Sequence, residues 1–142
     1  MTEESNKATA RRVLEEFFTA GKLDLAAELF SPDLIQHHPD QPYETRGPDG
    51  IRERMAAWRT AFPDLSTSIE DLVAEGDRVA LRSIARGSNT GEFMGTPPTG
   101  KQIAVEWESI YRFEGGKVAE MWDAWNVLAV MEQLGLTPQP VA

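Results

Sequence analysis

An acidic residue inside an aromatic stretch is the feature of this sequence that most suggests chemistry. Asp123 lies between Trp122 and Trp125 in the segment 117–125, whose composition is typical of a β-strand. A carboxyl group shielded from water has a raised pKa, so it can both remove and return a proton near neutral pH. Strand interiors disfavour aspartate, which favours a functional role here. The alternative is an aspartate that faces water on the exposed side of a sheet.

A second carboxylate could share a proton with this aspartate. The Gly-Gly pair at 115–116 predicts a two-residue hairpin turn, which places Glu108 directly opposite Asp123. Two adjacent carboxyl groups ionise in separate steps, and the pKa of one of them rises. This expectation depends on the strand register, because a bulge would turn Glu108 to the other face. For Glu106, a solvated position on the outer face of the sheet is an equally good interpretation.

Two histidines end a short predicted strand at 34–38. A neutral imidazole can donate or accept a proton near pH 7. His37 and His38 point to opposite faces if the segment is extended, so at most one of them can line a pocket. The alternative for His37 is packing at the strand end against Pro39. The chain has only two histidines and neither has a helical partner, so we expect no metal site.

The elements that must position these residues follow an order of helices first and strands afterwards. Apolar periodicity, capping residues and turn signals predict an α+β domain spanning residues 1–142, with a cavity between a helical layer and a curved sheet. The predicted helices are 2–20, 24–30, 48–62 and 127–134, and the predicted long strands are 66–74, 78–86, 101–113 and 117–125.

Large apolar side chains on these elements could line such a cavity. Most aromatic residues of a domain belong to its core, but some must face any internal space. A lining of this kind suits a flat, apolar, conjugated ligand. The residues that we expect to line the pocket are Phe18, Met55, Trp58, Phe93 and Trp125.

Composition excludes several classes of partner. The formal net charge of −9 argues against nucleic acid and against anionic membrane surfaces. The chain has no cysteine, which excludes disulfides and thiolate chemistry. The N-terminal residues are polar and acidic, and no apolar run approaches the length of a membrane span. We therefore expect a cytoplasmic protein.

The segment 91–101, GEFMGTPPTGK, resembles the SnoaL-like polyketide cyclases, which share the cone fold of nuclear transport factor 2. The resemblance covers nearly the whole chain. The other stretches that carry it are 35–37 before Pro39, 61–65, 69–72, 111–123 and 133–135.

This resemblance implies a strongly curved antiparallel sheet, capped by N-terminal helices around an internal apolar pocket. It implies a cofactor-free enzyme that closes a ring of a small apolar polyketide ester by an intramolecular aldol step. Asp123 matches the acid/base of that reaction, and His37 would assist it as a donor or positioning group. The family also implies a homodimer formed through the outer sheet face. The sequence departs from the family at Asn126, where an aspartate is common, and at Glu106 and Glu108.

Two alternatives use the same fold. One is a non-catalytic protein that binds a small molecule. The other is an epoxide hydrolase or dehydratase, in which an arginine bridges two acids that hold a water molecule. The arginines available for that role on the predicted strands are Arg82, Arg86 and Arg112.

Overall fold

A computed structural model of the chain describes residues 2–39 and 41–136. These described residues form four α-helices and six β-strands. The helices are α1 (Glu3–Arg12), α2 (Ala26–Leu29), α3 (Gly47–Ala61) and α4 (Val127–Leu134), with a π-helical segment at Val13–Thr19 and a short 3₁₀ turn at Leu23–Leu25. The strands are β1 (Phe30–His37), β2 (Thr45–Arg46), β3 (Ser66–Glu75), β4 (Arg78–Ser88), β5 (Gln102–Glu114) and β6 (Lys117–Trp125).

The predicted helix 2–20 is helical over nearly all of its length, but only its first part, α1, is an α-helix. The Thr2 side chain accepts a hydrogen bond from the Ser5 backbone N–H, and the Ser5 hydroxyl accepts one from the Thr2 N–H. After α1 the chain continues as the wider π-helix. The left-handed backbone of Gly21, with φ of 71°, follows the end of this helical segment. The apolar face of α1 and the π-helix packs on β3 and β4.

The six strands form one sheet in the order β2-β1-β6-β5-β4-β3. The four long strands pair antiparallel, as expected. In contrast, β1 pairs with β6 in parallel, so the sheet as a whole is mixed. A parallel pair needs a long connection between its strands, and here the rest of the sheet and α3 lie between them in the chain. The first strand of the chain, β1, therefore lies directly beside the last strand, β6.

A β-bulge makes the predicted pairing of Glu108 with Asp123 wrong. The Gly-Gly turn is tight as expected, but the register shifts by one residue beside Phe113, where Ala119 of β6 is the extra residue. Beyond the bulge, Ser109 lies opposite Asp123. Because side chains alternate along a strand, this shift turns Glu108 to the outer face of the sheet.

Alternating burial along β4 shows which face of the sheet is internal. Val79, Leu81, Ser83 and Ala85 are all buried, and Arg82 between them is not. The helices α1 and α3 cover this internal face. Among the helices of the described residues, none has the length and apolar character needed to cross a bilayer.

Candidate functional site

Asp123 is buried between two hydrogen-bond donors on the neighbouring strands. Only 4% of its surface is exposed. Its Oδ1 accepts a hydrogen bond from Ser109 Oγ of β5 at 2.5 Å, and its Oδ2 accepts one from Gln36 Nε2 of β1 at 2.9 Å. Both donors are buried as well. Since β5 and β1 flank β6 on its two sides, the carboxyl group is held in the sheet by one contact from each neighbour.

Burial raises the pKa of Asp123 above its ordinary value, because removal from water disfavours the charged form. The hydrogen bonds from Ser109 and Gln36 lower the pKa and offset part of this effect. Trp107 and the positive charge of Arg54 act in the same direction and are smaller. The balance leaves a carboxyl group that keeps its proton at a higher pH than a solvated aspartate does.

Tyr111 lies on the same face of β5 as Ser109 and is completely buried. Burial is the main reason that its pKa is raised well above the ordinary value, and the charge of Asp123 adds to the effect. The proximity of Ser109 offsets part of the increase, although the Ser109 hydroxyl is directed to Asp123. Tyr111 is therefore a neutral phenol at physiological pH.

The carboxyl group faces an apolar cavity between α3, the first helical segment and the sheet. The space open to the centres of water-sized molecules is about 40 Å³, enough to admit water but not a polycyclic compound without movement of the walls. The lining residues include Leu14, Phe18, Gln36, Ile51, Arg54, Met55, Trp58, Leu65, Thr67, Ser83, Ala85, Trp107 and Asp123.

A larger surface groove adjoins this cavity. In this groove, the space open to the centres of water-sized molecules is about 440 Å³. Arg54 and Trp58 line both the groove and the cavity, so these two side chains separate the two spaces. Of the predicted pocket residues, Phe18, Met55 and Trp58 line the cavity. Phe93 and Trp125 instead line the groove, whose other residues are Gln41, Arg54, Ala57, Trp58, Thr60, Glu92 and Met94.

Aromatic rings join the groove to the cavity. Trp58 contacts Trp125 edge-on at a centroid distance of 5.1 Å, and Trp107 stacks on Trp125 at 5.2 Å. Trp58 also contacts Phe93, with ring centroids 5.3 Å apart. Such clusters present a flat, polarisable surface, which fits an aromatic ligand.

A buried asparagine holds the Gly- and Pro-rich loop that forms one side of the groove. Asn89 is fully buried, and its Nδ2 donates to the Gly91 carbonyl at 2.9 Å. Its Oδ1 accepts from the backbone N–H and the hydroxyl of Thr99, at 2.8 and 2.9 Å. Gly91 packs so closely on α3 that an added Cβ would lie 1.8 Å from the Thr60 carbonyl oxygen. The sequence alone did not indicate a role for Asn89.

His37 lies on the opposite face of β1 from Gln36 and does not meet Asp123. Its Nε2 is 2.7 Å from Glu120 Oε2, and its ring stacks on Trp122 with centroids 5.3 Å apart. Side chains alternate along β1, so the residue that reaches the Asp123 carboxyl group is Gln36, which precedes His37.

Glu108 is also separated from the cavity, and its carboxylate partner is Glu106. Desolvation is the main reason that the pKa of Glu108 is raised, and the hydrogen bond and charge of Glu106 add to it. Arg82 lowers the pKa of Glu106 and contacts it at 2.8 Å; the same arginine contacts Asp71 at 2.7 Å. The arginine that bridges two acids is thus on the outer face, away from the Asp123 carboxyl.

Two further residues, Asn126 and Ser109, have structural roles that the sequence did not indicate. Asn126, which stands where the family often has an acid, caps α4: its Oδ1 accepts a hydrogen bond from Ala129 N–H at 2.9 Å. Sequence reasoning missed Ser109, because its position opposite Asp123 results from the bulge. The only available signal was its inward alternation with Tyr111 along β5.

Comparison with known proteins places the chain among the SnoaL-like polyketide cyclases. A family model for SnoaL-like polyketide cyclases matches residues 8–134. The aklanonic acid methyl ester cyclase DnrD of Streptomyces peucetius is 28% identical over 132 residues, covering 88% of this chain and 87% of that protein. The corresponding cyclase DauD of Streptomyces sp. strain C5 is also 28% identical over 132 residues, with 88% and 78% coverage.

Solved structures give the same result at the level of the fold. A SnoaL-like protein from Jannaschia sp. CCS1 superposes with a TM-score of 0.86 at 28% identity, covering 96% of this chain and 95% of that one. TsrD from Streptomyces laurentii has a TM-score of 0.85 at 26% identity, with 96% and 99% coverage. The predicted α+β cone fold is confirmed. The chain belongs to the SnoaL-like polyketide cyclase family.

Proposed function

We propose that this protein is a cofactor-independent cyclase that closes a ring in a small apolar polyketide ester by intramolecular aldol addition, with Asp123 as the acid/base. The observation that carries the proposal is the position of that carboxyl group. It is buried, it faces an apolar cavity and it is held by Ser109 and Gln36. The relatives that act on aklanonic acid methyl ester suggest the substrate class.

The reaction needs one proton to be removed and later returned. The Asp123 carboxylate takes a proton from the carbon between two carbonyl groups, and the electron pair of that C–H bond forms an enolate. The enolate carbon then bonds to a ketone carbon of the same molecule, whose carbonyl becomes an alkoxide. The alkoxide takes the proton from Asp123, which restores the carboxylate. No electron is gained or lost overall, so this sequence requires no redox partner.

Burial suits Asp123 to this role. A general acid/base works best when its pKa lies near the operating pH, and desolvation raises the pKa of Asp123 in that direction. The donors on either side limit rotation of the carboxyl group, so its proton position is defined relative to the cavity.

The substrate would occupy both the cavity and the surface groove. The cavity, at about 40 Å³, is too small for a polycyclic ester, whereas the groove has about 440 Å³. The reacting side chain of the ester would lie beside Asp123, and its ring system would contact the tryptophans of the groove. Entry requires movement of Trp58, which is half-buried, and of the flexible side chain of Met55.

Asp123→Asn tests the proposal with little change in shape. The assay follows ring closure of aklanonic acid methyl ester, and of simpler β-keto esters, by liquid chromatography and mass spectrometry. Loss of an acid/base is expected to lower kcat by about 10²- to 10⁴-fold, with ester binding largely retained. The matched control is Asp33→Asn, the same change at an exposed strand residue, which should leave turnover unchanged.

Full turnover by Asp123→Asn would refute the assignment of the acid/base. A wild-type protein that binds the esters tightly and leaves them unchanged would instead identify a binding protein of the same fold. Calorimetric titration with the same esters separates the two outcomes.

A further inference from the structure

The side-chain amide of Gln36 uses only one of its two ends. Its Nε2 donates to Asp123 Oδ2 at 2.9 Å, whereas its Oε1 has no hydrogen-bond partner within residues 2–39 and 41–136. Gln36 is 5% exposed and lines the same cavity as Asp123. A buried carbonyl oxygen without a partner is costly, so this end of the amide is available to a ligand or to a different arrangement of the site.

We propose that Gln36 supplies the hydrogen bond to the substrate's oxygen anion, by inverting its amide when Asp123 takes up a proton. The inference rests on the proposed function, in which Asp123 accepts a proton from the substrate. In this inference, Gln36 is a second catalytic residue: it contacts the substrate but does not exchange a proton with it.

The inversion follows from the hydrogen-bonding capacity of the two groups. An ionised carboxylate only accepts, so it takes the Gln36 N–H₂. A protonated Oδ2 must donate, and the group beside it that can accept is Gln36 Oε1. The two ends of an amide have nearly the same shape, and rotation about the last side-chain bond of glutamine is soft. A half-turn therefore satisfies the new O–H and directs the N–H₂ group toward the cavity.

This exchange supplies a donor in the same step that creates the negative charge. When the proton moves from the substrate carbon to Asp123, charge moves to the enolate oxygen. The N–H₂ of Gln36 is then free to donate to that oxygen. A hydrogen bond to an anion inside a water-poor site is stronger than one between neutral groups. Return of the proton to the alkoxide reverses the amide and prepares the site for another cycle.

The charged and titratable groups around Gln36 and Asp123 are compatible with a substrate oxygen anion in the cavity. Arg54 of α3 lines the cavity, and its Nη1 donates to Gln41 Oε1 at 3.2 Å. Tyr111 of β5 is a buried neutral phenol, so it carries no charge that would oppose an anion. Directly after β1, the Nε2 of His38 is 2.7 Å from Thr45 Oγ1.

A pair of naphthols tests the inference without any need for turnover. The ligands are 2-naphthol and its more acidic 6-cyano derivative, and their dissociation constants are measured by calorimetry. The wild-type protein should bind the more acidic naphthol about tenfold more tightly, because its oxygen carries more negative charge beside protonated Asp123. In Gln36→Met, which keeps the shape but has no amide, this preference should fall to about one.

Gln102→Met is the matched control. It makes the same change at an exposed residue of β5 that does not line the cavity, and it leaves Gln36 and Asp123 in place. We expect it to retain the tenfold preference. If Gln36→Met keeps the preference, the naphthol is bound by Asp123 alone and the inference is wrong.

A second measurement uses the wild-type protein and does not depend on the folding of a variant. The side-chain N–H₂ signals of Gln36, assigned by through-bond NMR, are followed against pH together with the Asp123 carboxyl carbon. Inversion predicts that both change with the same midpoint and that the amide protons move strongly. An amide signal that stays constant while Asp123 titrates would contradict the proposal.

The two proposals fail in different ways. Normal turnover by Asp123→Asn removes the proposed function, whatever the naphthols show. An inactive Asp123→Asn combined with an unchanged naphthol preference in Gln36→Met removes only the role of Gln36.

Discussion

Ser109→Ala should destabilise the protein more at neutral pH than at acidic pH. The Ser109 hydroxyl donates to Asp123 Oδ1 inside the protein, and both residues are 4% exposed. A hydrogen bond to an ionised group contributes about 1.5–3 kcal/mol, whereas one between neutral groups contributes about 0.5–1.5 kcal/mol. The loss in the free energy of unfolding should therefore be about 1.5–3 kcal/mol when Asp123 is ionised, and about half of that when it is protonated.

The sign of this pH dependence follows from the pKa of Asp123. Because burial raises its folded-state pKa, the folded protein holds this proton more tightly than the unfolded chain does. The resulting stability is fully present below the unfolded pKa and is lost as the pH rises through the folded pKa. Removing Ser109 Oγ, which lowers the pKa in the wild type, raises the folded pKa further. The variant must then lose additional stability as the pH rises.

Urea unfolding monitored by tryptophan fluorescence, at an acidic and a neutral pH, measures this difference. Ser83→Ala is the matched control, since Ser83 is a buried serine of the same cavity whose hydroxyl donates to the Trp107 backbone carbonyl at 3.5 Å. Its loss should be small and the same at both pH values. An equal loss for Ser109→Ala at both pH values would mean that Asp123 does not change its charge across that interval, and the electrostatic argument would fail.

Two further predictions concern the groove and the outer face of the sheet. Gly91→Ala should lower the free energy of unfolding by about 1–3 kcal/mol, because its Cβ would overlap the Thr60 carbonyl oxygen, and thermal melting would detect this; an unchanged melting temperature would show that the loop moves freely. We also predict a homodimer through the outer sheet face, where Ile110 is 40% and Val73 63% exposed. Ile110→Lys should convert the dimer to a monomer in light scattering, whereas a wild-type protein that is already monomeric would refute the prediction.

The sequence alone predicted most of the helices and long strands, and it indicated Asp123 as a candidate site residue. The caps of α1 and α4, the Gly-Gly turn and the period of each segment are local signals, so they predict helices and long strands close to those observed. An aspartate within an aromatic strand indicated a functional role, because strand interiors disfavour that residue. Asp123 is indeed buried and faces a cavity.

Only the tertiary structure decided which groups meet that aspartate. The bulge beside Phe113 places Ser109, instead of the predicted Glu108, opposite Asp123. It interrupts the alternation of β6, where Val118 and Ala119 are both buried, and the residue types of β6 alone do not predict this interruption. The contact with Gln36 depends on the pairing of the first strand with the last, which are joined by most of the chain. Such pairing is set by packing of the whole sheet against the helices, so the partners of Asp123 follow from the assembled fold, whereas the aspartate itself could be recognised from its neighbours in sequence.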